Sequence, residues 1–342
     1  MTKVVYFNVD EITRKYYESH PLNAEAEQIF LDKSPDALDE ADLAAIRDAE
    51  IISVFVSSID VSDKVLSQFP GLKLVAVRST GYNNVNLDYC RSHGIQVVNV
   101  PGYGDSTVAE YAFGLLIAVT RKICDSFRDM QDGSVEMDSY LGFDLKERTI
   151  GIIGTGAIGR YAIRIAKGFD MKVLASDPYP NEQAAREMGF EYVPVDELLE
   201  RSDIISLHCP LTKENYHLLD REAFKKMKDG VVIVNTARGE LIDTEALYRA
   251  LASGKVGGAG LDVLEYETAV IHDDMYLRSA KSQGADSLLR SLINHRLLQL
   301  RNVVVTPHVA FNSIDAVHRI LKTTNDNIDS FLAGKTINSV IK

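Results

Sequence analysis

Residues 149–177 read TIGIIGTGAIGRYAIRIAKGFDMKVLASD, and this stretch decides the fold. An apolar run with strand composition, 149–153, leads into Gly154, Gly156 and Gly159 as G-x-G-x-x-G. Helical periodicity follows to about 169, then a second β-rich run that ends on Asp177. Three glycines at this spacing occur in ordinary turns; the strand before and the helix after are what give them meaning. The first glycine permits the tight turn, the second lets backbone approach a pyrophosphate, and the third lets helix and strand pack closely. The N-terminus of that helix offers N–H groups and a positive dipole end to phosphate. Asp177, 18 residues past Gly159, stands where a carboxylate accepts hydrogen bonds from an adenosine ribose, which favours NAD over NADP.

Outward from this unit the same rhythm continues. Downstream come DIISLHCP, GVVIVNTARG, VGGAGLDV and NVVVTPH, with helical connections, ending near His308. Upstream, KVVYFNV, EQIFLD, IISVFV, LKLVAVRS and IQVVNV form a separate alternating series. Two such series predict two parallel α/β sheets, and 342 residues exceed what one core usually spans. Residues 105–130 read as one long helix, capped by Asp105 or Ser106, with an apolar side wide enough to predict burial between domains or subunits. The tail from 312 to about 332 reads as a helix closed by Gly334. The expected fold is α/β with two doubly wound parallel-sheet domains and an interdomain cleft. A flavodoxin-like substrate-binding domain (1–101 and 310–342) would hold an inserted Rossmann NAD-binding domain (102–309). The segment 268–300 breaks the rhythm: it is polar, helical in tendency (ADSLLRSLINHRLLQL) and too long for an ordinary βα connection.

A net charge of −12 disfavours nucleic acid and anionic membrane as partners. The three cysteines, Cys90, Cys124 and Cys209, fit neither a zinc site nor a disulfide framework, which points to a reducing compartment. The N-terminus MTKVVYFNVDE lacks a signal peptide's apolar stretch, and no run of 18 apolar residues occurs. The expectation is a cytoplasmic protein. No His and Cys cluster has metal-ligand spacing, and hydride transfer from nicotinamide requires no metal, so none is expected.

Three segments, NTARGEL, GLDVLEYE and VTPHVA, end predicted strands on the side where open α/β sheets bind ligands, and they carry Arg238, Glu267 and His308. Arginine's planar fork binds the carboxylate of a 2-oxo acid bidentately and polarises the neighbouring carbonyl. Hydride transfer leaves an alkoxide that needs a proton from a group poised near neutral pH, which is histidine's chemistry. A carboxylate beside the ring favours the imidazolium and fixes its orientation, the role predicted for Glu267. His208 has no acid partner in its motif and reads as structural.

GTGAIG with Asp177, NTARGE, GLDVLEYE and TPHVAF resemble the successive signatures of the D-isomer-specific 2-hydroxyacid dehydrogenases, and RSTGYNNV (78–85) and NVPGYGDSTVAEYA (99–112) extend the resemblance over nearly the whole chain. The resemblance implies that Arg238 binds and polarises substrate, that His308 is the acid in reduction and the base in oxidation, and that Glu267 supports it. It further implies a substrate carboxylate on the amides of Thr80 and Gly81, with Tyr103 and Phe311 lining the substrate. Ala157, Ile158, Cys209, Pro210, Asn215, Thr236 and Ala237 would border the cofactor, and Asp262 would contact the nicotinamide carboxamide. Thr268, where many members have proline, and the long stretch to His308 look like the D-lactate dehydrogenase branch. Asn312, where several such enzymes carry tyrosine, leaves a broad or aromatic 2-oxo acid reductase as the alternative. A more remote one is an NAD-sensing protein resembling the C-terminal-binding corepressors. A homodimer and domain closure around the ligands are expected from the resemblance as well.

Overall fold

The computed structural model describes residues 1–55, 61–82, 84–265 and 284–341, with backbone alone for 284–289 and 291. The chain divides into two compact units, Met1–Tyr103 with Ser313–Lys342, and Gly104–Asn312.

The first unit alternates β1 (Thr2–Tyr6), α1 (Glu11–Ser19), β2 (Ala26–Phe30), α2 (Glu40–Ile46), β3 (Ile51–Val54), α3 (Asp63–Leu66), β4 (Leu74–Val77), α4 (Leu87–Ser92) and β5 (Gln96–Val98). Its sheet runs β2-β1-β3-β4-β5, every pair parallel, which is the flavodoxin-like order. Every residue of β3 and β4 is buried, because helices cover both faces of a parallel sheet. One covering helix is the last in the chain, Ile314–Leu332. Ser313 caps it, accepting from the Ala316 N–H, and Leu321 and Ile328 enter the same core as Val4, Tyr6, Ile51 and Leu74. Gly334, at φ +79°, adopts the left-handed conformation just past its end. The chain therefore leaves the first unit after β5 and returns to complete it.

The second unit holds α5 (Asp105–Thr120), α6 (Ile123–Asp132), β6 (Thr149–Ile153), α7 (Ala157–Gly168), β7 (Lys172–Ser176), α8 (Glu182–Met188), β8 (Glu191–Tyr192), α9 (Val195–Arg201), β9 (Ile204–Leu207), α10 (Arg221–Lys226), β10 (Val231–Asn235), α11 (Thr244–Ala252), β11 (Val256–Leu261) and β12 (Val303–Val305). The helix Gly284–Leu298 precedes β12. The strand order is β12-β11-β10-β9-β6-β7-β8, again all parallel. The winding reverses between β6 and β9, and open α/β sheets bind ligands outside the strand C-termini at such a switch point.

The long helix expected over 105–130 is two helices. The chain breaks at Arg121–Lys122, where Lys122 takes a left-handed φ of +54°, and neither glycine nor proline marks the spot in the sequence. Gly104 caps α5 without a side-chain hydrogen bond, in place of Asp105 or Ser106. Ala109, Ala112, Phe113, Leu116 and Val119 of α5 are buried in the second unit's own core with Ile150, Ile152 and Ala162. The wide apolar surface is thus consumed within that unit, as a helix apolar nearly all round requires. No helix among the described residues is long and apolar enough to cross a membrane.

Candidate active site

Six loops leave the C-terminal ends of β6, β7, β9, β10, β11 and β12 and carry nearly every residue singled out on the second unit. The β6 loop turns through Gly154 at φ +95°. A Cβ on Gly154 would lie 2.7 Å from the Cys209 nitrogen, and one on Gly159 would lie 2.0 Å from the Gly154 oxygen. Gly156 is the N-cap of α7, has no side-chain cap, and faces open space where a Cβ would stand. The first turn of α7, Ala157 and Ile158 included, therefore offers uncapped N–H groups of the kind that bind phosphate.

Asp177 follows β7. Its Oδ2 accepts from the Thr155 N–H (2.7 Å) and Oγ1 (3.0 Å), and its Oδ1 from the Tyr179 N–H (2.8 Å). Burial works against ionisation, but these hydrogen bonds outweigh it and hold the carboxyl below its usual range. A fixed anion at this point suits a ribose diol and repels a ribose phosphate. Tyr192, with its hydroxyl 2.7 Å from Thr155 Oγ1, braces the pair; sequence reasoning missed both supports.

Beyond β9, His208 Nε2 lies 2.8 Å from Ser206 Oγ, while Nδ1 is buried with no partner among the described residues. Burial pushes this histidine down to about 4, so the ring is neutral at pH 7. Burial also pushes the Cys209 thiol up to about 11, far from a nucleophile's range. Asn215 shapes this turn, donating to the Pro210 carbonyl (2.8 Å) and accepting from the Thr212 N–H (2.7 Å). Thr236, after β10, keeps Oγ1 buried and unpartnered among the described residues. An orphaned hydroxyl, the uncapped α7 and the ionised Asp177 together fit a bound dinucleotide.

Arg238 is exposed, and no carboxylate among the described residues pairs with it. Asn235, fully buried at the end of β10, sets its backbone. Asn235 Oδ1 accepts from the Ala237 N–H (3.0 Å) and Nδ2 donates to the Arg238 carbonyl (2.8 Å). His308 sits past β12 at φ +55°, a left-handed conformation uncommon for a side-chain-bearing residue. Asp262 holds that turn. Its carboxylate, 1% exposed, accepts from Thr306 Oγ1 (2.6 Å) and the N–H groups of Val309 and Ala310 (2.9 Å each). Its carbonyl takes the His308 N–H (2.9 Å). Burial raises the Asp262 carboxyl while these bonds lower it, and burial wins. Sequence reasoning gave Asp262 to the cofactor; all three of these side-chain bonds serve the His308 turn. Glu267 lies outside the described residues.

A family model described as D-isomer specific 2-hydroxyacid dehydrogenase, NAD binding domain, matches residues 113–310. The chain belongs to this dehydrogenase family. It is 38% identical over 336 residues to the D-lactate dehydrogenase of Escherichia coli, covering 98% of each chain. It is 40% identical over 262 residues to an aromatic 2-oxoacid reductase of Clostridium sporogenes, covering 76% of each. Among solved structures it resembles the D-lactate dehydrogenase of Aquifex aeolicus complexed with NAD and lactic acid, with a TM-score of 0.83, 33% identity and 99% of each chain covered. The dehydrogenase is an NAD-dependent oxidoreductase.

On the first unit of the dehydrogenase, Thr80 and Gly81 lie just past β4. Their carbonyls are tied back, to Asn99 Nδ2 (2.8 Å) and Ser79 Oγ (2.6 Å) respectively, and Thr80 Oγ1 donates to the Val100 carbonyl (2.9 Å). Their N–H groups have no acceptor among the described residues, the arrangement of an anion-binding turn. Tyr103 is half-buried on the first unit, its carbonyl accepting from Arg319 Nε (2.7 Å), and Phe311 is half-buried at the end of the second.

Proposed function

We propose that the dehydrogenase reduces pyruvate to D-lactate with NADH. The observation carrying this substrate is the 38% identity to a D-lactate dehydrogenase along 98% of both chains. NADH, when bound, supplies the hydride. Arg238 takes the substrate carboxylate in a bidentate pair and draws electron density from the adjacent carbonyl. His308 delivers a proton to the carbonyl oxygen as it becomes a hydroxyl, and recovers that proton in the reverse direction. Glu267 keeps His308 protonated until then. The N–H groups of Thr80 and Gly81 serve the carboxylate, and Tyr103 and Phe311 line the substrate. Gly154, Gly156, Ala157, Ile158 and Gly159 cradle the pyrophosphate and Asp177 holds the ribose. Cys209, Pro210, Thr236 and Ala237 border the cofactor, Asn215 shapes that border, and Asp262 keeps His308 in place.

NADH oxidation by purified protein with pyruvate, 2-oxoisocaproate and phenylpyruvate in parallel tests the substrate. Fastest turnover on pyruvate is expected. Preference for the larger acids would move the protein towards the aromatic 2-oxoacid reductase it is 40% identical to, and inertness to all three would remove the assignment.

A homodimer is the second part of the proposal, supported by α6. Ile123, Phe127 and Met130 recur at helical spacing and are 49%, 63% and 72% exposed, an apolar stripe of the kind that marks a subunit contact. Light scattering should give twice 37.9 kDa, and Phe127→Asp should reduce it towards one chain; a wild-type monomer would contradict the dimer. A cytoplasmic location is proposed on the three unpaired cysteines, and cell fractionation tests it, since recovery outside the cytoplasm would count against it.

A further inference from the structure

We propose that Glu265 is a positioning residue, clamping the loop that leads to Glu267 against the loop that carries Arg238, with the helix Gly284–Leu298 as its brace. This rests on the roles given above to Arg238, Glu267 and His308.

Glu265 is 1% exposed, and a carboxylate so buried is costly unless donors surround it. His217 Nε2 (2.7 Å), Thr244 Oγ1 (2.7 Å), the Thr244 N–H (3.1 Å) and an Arg290 guanidinium nitrogen (2.9 Å) all reach it. Burial opposes its ionisation, but these partners hold the carboxyl below its usual range. Its main chain is held too: the Glu265 carbonyl accepts from Nδ2 of Asn294 (2.7 Å), which is 0% exposed. Arg290 and Asn294 are four residues apart on one helix, hence on one face, so a single helix grips both the carboxylate and the backbone of Glu265.

Two further observations join this grip to Arg238. A Cβ on Gly239 would stand 2.1 Å from the Leu264 carbonyl carbon and 2.4 Å from the Glu265 nitrogen, so the two loops touch backbone to backbone. His217 spans them as well, its N–H on the Glu240 carbonyl (2.9 Å) and its ring on Glu265, with Asp243 Oδ2 3.8 Å from Nδ1. Glu267 is two residues further on, at most about 7 Å of chain. A displacement of Glu265 therefore passes to the loop that carries Arg238, which it touches, and Glu267 follows it in the chain. Part of the segment that breaks the α/β rhythm thereby fixes catalytic geometry from behind.

The test compares Arg290→Met, Arg290→Lys and Glu265→Gln with wild type and with Glu267→Gln, measuring kcat, KM for pyruvate, NADH affinity by fluorescence, and Tm. Misplaced catalytic groups cost up to about a hundredfold. Arg290→Met is expected to lower kcat about tenfold or more and to raise KM for pyruvate, with NADH affinity changed by no more than about twofold, and Arg290→Lys to recover most of it. A purely structural ion cluster would lower Tm and leave both kcat and KM for pyruvate intact, and that result in Arg290→Met would overturn the proposal. If Glu265→Gln does not fold, the Arg290 pair decides. An undiminished kcat in Glu267→Gln would instead refute the underlying catalytic roles. A normal loss there beside an intact Arg290→Met refutes the clamp alone.

Discussion

Replacing His308 by asparagine is expected to lower kcat for 2-oxo acid reduction by about a thousandfold, within the range that positioned proton donors supply. Asparagine is the informative choice. His308 holds φ +55°, a conformation asparagine adopts more readily than other side-chain-bearing residues, whereas alanine would add backbone strain to the loss of the proton. The Asp262 bonds to Thr306, Val309 and Ala310 do not involve the imidazole, so the turn should survive. NADH affinity, measured by fluorescence, should be nearly unchanged, because the residues proposed to hold the dinucleotide lie on other loops. A variant retaining a tenth or more of wild-type kcat would assign the proton to another group.

Arg238→Lys is expected to lower kcat/KM about a hundredfold, despite keeping the charge. A lysine is a single point donor and cannot reproduce the two parallel hydrogen bonds of a guanidinium on a carboxylate. It also loses the donor proposed to polarise the reacting carbonyl, an interaction worth about a hundredfold or more in comparable sites. The loss should divide between KM, through the carboxylate, and kcat, through the carbonyl. The Asn235 side chain holds this loop by the Ala237 N–H and the Arg238 carbonyl, and the guanidinium adds only one exposed bond, to the Ala237 carbonyl (2.6 Å), so Tm should stay nearly put. Unaltered kcat/KM in the lysine variant would show that charge alone suffices.

Legibility in the sequence followed the range of the forces involved. The glycine fingerprint, the alternating strands and the capped final helix are local patterns, and each named an element that the structure contains. The break between α5 and α6 was not legible, because Lys122 takes its left-handed backbone in a stretch, TRKIC, without a breaking residue. The capping of α5 by Gly104 likewise leaves no side-chain signature. At the site, residue types suggest the chemistry proposed for Arg238 and His308, since few side chains can perform it. What holds them did not announce itself. Asp262 gave no sign of the turn it holds, whatever its part towards the cofactor, and the positions of Asn235, His217 and Thr155 gave no sign of what they brace. Their roles arise from partners 44 to 48 residues away for Asp262 and His217, and 22 away for Thr155, distances over which one sequence carries no pairing signal.

The most direct test of the central claim is NAD reduction by the purified protein with D-lactate and L-lactate offered separately. Appearance of NADH with D-lactate and its absence with L-lactate is the predicted result. Oxidation of L-lactate at a comparable rate, or of neither acid by a protein also inert to pyruvate with NADH, would contradict it.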